Sequence, residues 1–349
     1  MDNHWKLAVK IIFLLLFVIF CLWFLQSISW VVGLLIISTV IVYILHPLVV
    51  VLKEKFKMKH GIATTLVFVL FLLFCVLVIS LLVPVVYYEL VELADSFPHY
   101  MNRFQEFLSW VSQQIVLLDL EEEVRNFLVT VSDNLSQAIE YLADASIYLI
   151  GGAVDFVLVL FLTFYLLYDF QEVRKQLLSI IPEAKKELAK RIVAIIDTNT
   201  GSYLRGSLIR CLIVGIVTGL VLFIIGMPYA LLLGLIAGLF NFILYIGPYI
   251  AAIPALLLSF SPLTPSPLII ILIYVLIQAL DGLFIAPVIL GRSVQLKAIT
   301  IITVILIGGS VGGLLGMVVA VPLAGIIKGI LVLIKEGPAY TSTDLDHSS

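Results

Sequence analysis

The sequence predicts an all-α, polytopic membrane protein with about six full spans and two broken, re-entrant helical hairpins. Three observations predict it. Hydrophobic residues make up 62% of the 349-residue chain and charged residues only 12%. That is about half the charged share a soluble surface carries, so water cannot be the solvent around most of this chain. Apolar runs of span length recur throughout. Eighteen of the twenty lysines and arginines fall on one predicted side of the membrane.

A helix needs about 20 apolar residues to cross roughly 30 Å of hydrocarbon. The runs that meet this are 7–25, 30–52, 62–86, 146–168, 208–226 and 268–290. The first has a short basic flank in Lys6 and Lys10. It is too long for a signal-peptide core and lacks a small-residue cleavage site, so it reads as a first span. Lys53, Lys55, Lys57 and Lys59 follow the second span, whereas the Gln26–Ser29 turn is uncharged. Basic loops mark the cytoplasmic side, which places both termini there.

Segment 88–144, expected outside, holds eleven carboxylates and two basic residues, Arg103 and Arg125. Segment 170–210, expected inside, holds eight basic and four acidic residues. An inner membrane is the environment this asymmetry implies.

The outer segment carries two helical stripes. One runs Tyr100, Phe104, Phe107, Leu108, Val111, Ile115 and Leu118. The other runs Val124, Phe127, Leu128, Val131, Leu135, Ala138, Ile139 and Leu142. Apolar residues at this spacing form an amphipathic helix. Two outer helices are predicted, packed on each other, on another subunit or on the lipid interface. Inside, 172–181 and 183–200 read as two short helices divided at Pro182, with a solvated basic surface. The tail from Glu336 is polar and reads as disordered.

Two apolar stretches resist this scheme. The fifth span ends outside near Gly226-Met-Pro228, and 268–290 must begin outside because Arg292 and Lys297 follow it. Segment 229–260 therefore starts and ends on one side. It contains Asn241-Phe-Ile-Leu-Tyr-Ile-Gly-Pro-Tyr-Ile250, and Pro disfavours helix at the residue before it. Two arms meeting at Tyr245–Tyr249 are predicted, as a hairpin entering from outside.

Segment 298–334 mirrors it from inside, with its break in Gly308-Gly-Ser-Val-Gly-Gly313. Whether that break makes a re-entrant turn or two short spans stays open at this level. Backbone groups freed at such breaks must line protein or water. Paired broken segments of opposite entry point to a transporter's binding site.

The run Gly201-Ser-Tyr-Leu-Arg-Gly206, then Ile224-Ile-Gly-Met-Pro-Tyr-Ala230, then Asn241–Pro248 resembles the autoinducer-2 exporter family of bacterial membrane proteins. Gln278-Ala-Leu-Asp281, Pro287, Gly291-Arg-Ser-Val294, and Gly313-Leu-Leu-Gly316 through Pro322-Leu323 continue the match in order. The chain departs from the family pattern at Leu244 and at Lys297-Ala298, where the family commonly has proline. The resemblance implies a multi-span permease assembled as a homo-oligomer, with pentamers indicated. It implies export of a small polar solute such as a quorum-sensing signal, or alternatively sodium/proton antiport.

The residues themselves nominate a pathway. Asp281 lies nine residues from the inner end of its span, about 14 Å at helical rise. A carboxylate at such depth is costly and by default serves function. Gln278 is one turn away on the same face. Asn241, Tyr245, Gly247 and Pro248 at the first break, and Gly309 and Ser310 at the second, complete the expected route for a solute or for Na⁺ or H⁺.

Asp155, in the fourth span, reads either as a second ion or proton carrier or as a helix-packing group. Arg210 and Arg292, near inner ends, read as cytoplasmic anchors that snorkel. Direct pairing of Arg292 with Asp281 is not expected.

Nothing in the chain matches a hydrolase, zinc-protease, nucleotide-loop or dinucleotide signature, so no catalytic residues are assigned. Cys21, Cys75 and Cys211 lie singly in apolar runs, and the five histidines show no ligand spacing. No metal or cofactor is expected. With net charge −3 and no basic field, nucleic acid is excluded as a partner. A third reading, of another class, is a non-transporting membrane scaffold that works through its outer helices.

Overall fold

The computed structural model describes residues 28–114, 130, 145–261, 264–290 and 296–336. The expected first span, the 124–142 stripe, Arg292 and residues 337–349 lie outside the described residues. Among the described residues all regular structure is helical.

The helices are α1 (Ser29–Lys55), α2 (His60–Gln114), α3 (Ala145–Tyr168), α4 (Phe170–Ser179), α5 (Glu183–Ile224), α6 (Ala230–Phe240) and α7 (Gly247–Leu258). They continue with α8 (Pro267–Leu280), a π-helical turn (Asp281–Ile285), α9 (Ala286–Leu290) and α10 (Ala298–Glu336). By length and composition five helical stretches, with α8 through α9 taken as one, are long and apolar enough to cross a membrane, or six if α3 and α4, bent by 69°, form one span. The chain is a polytopic membrane protein.

Two expected boundaries are absent. The span at 62–86 does not end before the first outer helix, because α2 runs unbroken through Pro84 and Pro98 to Gln114. The inner helix after Pro182 does not stop near residue 200 and continues as α5 through the fifth span. Polar residues in these stretches are helix-compatible. A change of solvent along a rod leaves a change of composition but requires no break in hydrogen bonding.

Both broken segments are broken. Helix α6 ends at Phe240 and α7 starts at Gly247, with Tyr245 between them in the left-handed region (φ 66°). A Cβ at Gly247 would lie 1.7 Å from the Phe240 carbonyl oxygen, so only glycine fits where the two arms meet.

Along α10, Gly312 (φ −132°) and Gly313 (φ 56°) leave helical geometry. A Cβ at Gly316 would stand 1.9 Å from the Gly308 oxygen, and one at Gly309 would stand 2.5 Å from the Met317 side chain. Residues eight apart on a straight helix are about 12 Å apart. The two arms of α10 therefore fold back on each other as a hairpin, and the length of α10 overstates its reach.

Among the described residues three apolar cores hold the bundle. One joins α1, α2 and α3 through Val42, Val49, Ala63, Val67 and Leu167. A second lies at the acidic end, where Leu93, Phe97 and Tyr100 of α2 pack on Leu222, Leu233, Leu258 and Ile270. The third lies at the basic end and joins Tyr203 and Leu204 of α5 to Ile243, Leu290, Ile301, Ile305 and Val321. Both hairpins and the end of α9 converge there. Many large apolar side chains on α2, such as Leu70, Leu73, Phe74 and Leu77, are exposed, which in this class of protein means exposed to lipid or to another subunit.

Candidate functional site

Helix α5 and helix α6 approach closely because the residues between them are small. Gly219 faces Ala230, Gly215 faces Gly234, and the Cys211 carbonyl faces Gly238. A Cβ on Gly234 would lie 2.7 Å from the Gly219 Cα. Small residues let membrane helices gain van der Waals contact where lipid supplies no hydrophobic drive. This antiparallel register steps toward the C-terminal end of α6 and sets Asn241 beside Arg210.

On the opposing element, Pro287 cannot donate a backbone hydrogen bond to the residue four before it. The helix relaxes into a π turn there, with the Ala286 amide bonded to the Asp281 carbonyl. Turns of this kind redirect a side chain and recur at functional sites.

The result is a buried triad. Arg210 Nε donates to Asp281 Oδ1 at 2.8 Å and to Oδ2 at 3.0 Å, and its Nη2 donates to the same carboxylate and, at 3.3 Å, to Asn241 Oδ1. Asp281 is 0% exposed, Asn241 1% and Arg210 5%. The Asn241 Nδ2 group is buried with no hydrogen-bond partner among the described residues. Along α5 and along α8–α9 the triad lies between the core at the acidic end and the core at the basic end. A charged and amide cluster between two apolar plugs can hold a small polar solute out of contact with both sides.

The expected assignments fall out unevenly. Asp281 and Asn241 come together. Arg210 is corrected from a snorkelling anchor to the partner of Asp281. Counting residues from a span start at 208 located it near water, but α5 begins at Glu183 and its close packing on α6 keeps Arg210 inside. Gln278 is half-buried one turn before Asp281 and is not among the groups bonded to it. Gly247 is buried at the junction of the arms, Pro248 occupies the first turn of α7, and Tyr245 is 48% exposed.

Gly309 packs on Met317, and the Ser310 hydroxyl donates back to the Ile307 carbonyl at 2.8 Å, so neither bonds to the triad. Asp155 accepts a hydrogen bond from Trp30 Nε1 at 3.2 Å, tying α3 to α1. Arg292 lies outside the described residues. None of the described His, Cys, Asp and Glu residues group as a metal site.

A second polar cluster at the basic end went unread in the sequence. The Tyr43 hydroxyl donates to Asp197 Oδ1 at 3.1 Å, Arg174 pairs with Asp197 at 2.7 Å, and Arg205 donates to the Tyr43 carbonyl at 3.1 Å. It fastens α1, α4 and α5 together. Its members are spread over more than 150 positions of sequence, and no local spacing announces them.

Comparison with known proteins places this architecture. A family model described as AI-2E family transporter matches residues 12–335. YrrI of Bacillus subtilis, named as a candidate transport protein, is 27% identical over 94% of this chain and 95% of its own length. YueF of the same organism, similarly named, is 25% identical over 85% and 82%. PerM of Escherichia coli K12, named as a candidate permease, is 26% identical over 79% of each chain.

Proposed function

The chain belongs to the AI-2E family of transporters, and from that premise we propose that it is a secondary transporter whose solute site is the Arg210–Asp281–Asn241 triad. The observation that carries the reading is an ion pair that is fully desolvated, sits between two apolar plugs and is joined by an amide with an unused donor. Buried charge is expensive to install and marks a pathway when it occurs inside a membrane bundle.

In this reading the cargo is a small polar, hydroxylated solute, exported from the cytoplasm. The Asn241 amide and the Arg210 guanidinium donate to its oxygens, and Asp281 holds Arg210 while the site is empty. Alternating access moves the two hairpins against the α1–α3 scaffold, opening the two plugs in turn. Assembly as a homo-oligomer in the inner membrane belongs to the same proposal. Sodium as the cargo fits the geometry less well, because a metal cation at Asp281 would sit against the guanidinium that already holds the carboxylate. A purely scaffolding role gives no account of the buried pair.

Reconstituted vesicles loaded with a panel of labelled polyols and sugars test the reading. Arg210→Lys and Asp281→Asn should each reduce efflux at least tenfold in protein that remains folded by size-exclusion chromatography. Unchanged efflux in both variants would remove the triad from the mechanism.

A further inference from the structure

Below the triad, one face of α5 carries hydrogen-bonding side chains with nothing to bond to. The Thr200, Tyr203 and Ser207 hydroxyls are all buried with no hydrogen-bond partner among the described residues, as is Asn241 Nδ2. Tyr203 and Ser207 are each 1% exposed and stand one turn apart on α5. At 100° per residue, positions 200, 203, 207 and 210 fall within an arc of about 80° and span about 15 Å of helix. They form a file that leads from the basic end to Arg210. At its far end, Thr200 borders a mainly apolar crevice of about 220 Å³ between α1, α5 and the second arm of α10.

Other hydroxyls in this bundle behave differently. Ser38, Thr39, Ser80, Thr303 and Ser310 each donate to a carbonyl three or four residues back on their own helix. That local bond is the usual way to satisfy such a group in a helix. Buried Thr163 on α3 goes without a partner singly, and on α2 the unpaired Thr64 hydroxyl has only His60 Nδ1 one turn before it. Among the described residues the longest row of orphaned groups is the one on α5, and it leads to Arg210, the partner of the carboxylate. Polar atoms left unpaired in a row are what a chain of bound water requires.

We propose that the α5 face at Thr200, Tyr203 and Ser207 is a hydrated file through which protons pass between Asp281 and the cytoplasm. This rests on the assignment of Asp281 to the transport site and names the coupling ion for it. In the outward step of the proton, the O–H bond of the Asp281 carboxyl breaks. The proton passes to the first water, the electron pair remains on the carboxylate, and Arg210 re-forms its bidentate bond. Nothing is oxidised or reduced.

Among the described residues the charged and titratable groups that act on Asp281 are Arg210 and, on the same helix α5, Cys211. The break between α6 and α7 contributes Asn241, and the core on the basic side of the pair is apolar. Protonation therefore acts chiefly by releasing Arg210, which is the group a solute needs.

Two measurements on the full-length protein test this. Ser207→Cys and the lipid-facing control Leu212→Cys are exposed to 2-aminoethyl methanethiosulfonate in vesicles of each orientation, with adducts above wild type counted by intact mass. Ser207→Cys should react at least tenfold faster than Leu212→Cys, and only when the cytoplasmic face is accessible. Equal rates, or labelling from the opposite face, would overturn the path.

Proton uptake by purified protein after an acid jump is then followed with a pH dye, taking the component absent in Asp281→Asn. The paired change Tyr203→Phe with Ser207→Ala should slow that component at least tenfold, and an unchanged rate overturns the proposal. If either result goes against the file while Arg210→Lys still abolishes efflux, the path falls and the transport site stands.

Discussion

Breaking the Arg210–Asp281 pair from one side should cost far more than removing it whole. The nitrogen–oxygen distances of 2.8 and 3.0 Å correspond to an attraction of about 6 kcal/mol at an effective dielectric of ~20. Most of that offsets the loss of hydration when both charges are buried. Arg210→Met alone leaves a carboxylate that is 0% exposed with no counter-charge. Asp281→Leu alone leaves an equally stranded guanidinium.

Each single change is expected to destabilise by about 3–5 kcal/mol, whereas the double change should lie within about 1–2 kcal/mol of wild type. Equilibrium unfolding by titration of sodium dodecyl sulfate into mixed micelles measures all four corners of this cycle. The exposed Lys175–Glu172 pair is the control and should show coupling below about 1 kcal/mol. A coupling energy at the buried pair no larger than the control would show that the two charges do not depend on each other. The double variant should also be stable yet inactive, which separates holding the fold from moving the solute.

Two further predictions follow from particular contacts. Gly316→Ala puts a methyl group 1.9 Å from the Gly308 oxygen, so the arms of α10 must separate. A loss of about 1–3 kcal/mol, read as a lower melting temperature in detergent, is expected, and an unchanged melt would contradict the folded-back hairpin. Asp155→Asn keeps an acceptor for Trp30 Nε1 and should leave transport within about twofold of wild type, because the energy of one neutral hydrogen bond is small. A loss of more than tenfold would restore Asp155 as a carrier.

Much of the fold was legible because the bilayer imposes simple one-dimensional rules. Span length, the segregation of Lys53–Lys59 from the carboxylates of 88–144, and the Gly247-Pro248 and Gly312-Gly313 breaks all act through local composition. What failed were helix ends that no local signal marks, as at residue 88 inside α2 and residue 200 inside α5.

The site was only half legible. Asp281 stood out because a carboxylate deep in an apolar run has few innocent explanations. Arg210 did not, since an arginine close to a helix end is ordinarily satisfied by water. The Tyr43–Asp197–Arg174 cluster was invisible, because its members lie on three helices.

The sequence by itself determined that this chain lives in a membrane, which end of the bundle is basic, and where its helices must break, because hydration cost is a property of each residue and its near neighbours. Only the tertiary structure decided that Arg210 meets Asp281 and that the α5 hydroxyls are orphaned. Those facts depend on the glycine-set register of α5 on α6 and on the π turn before Pro287, and pairing across a bundle is fixed by geometry between helices.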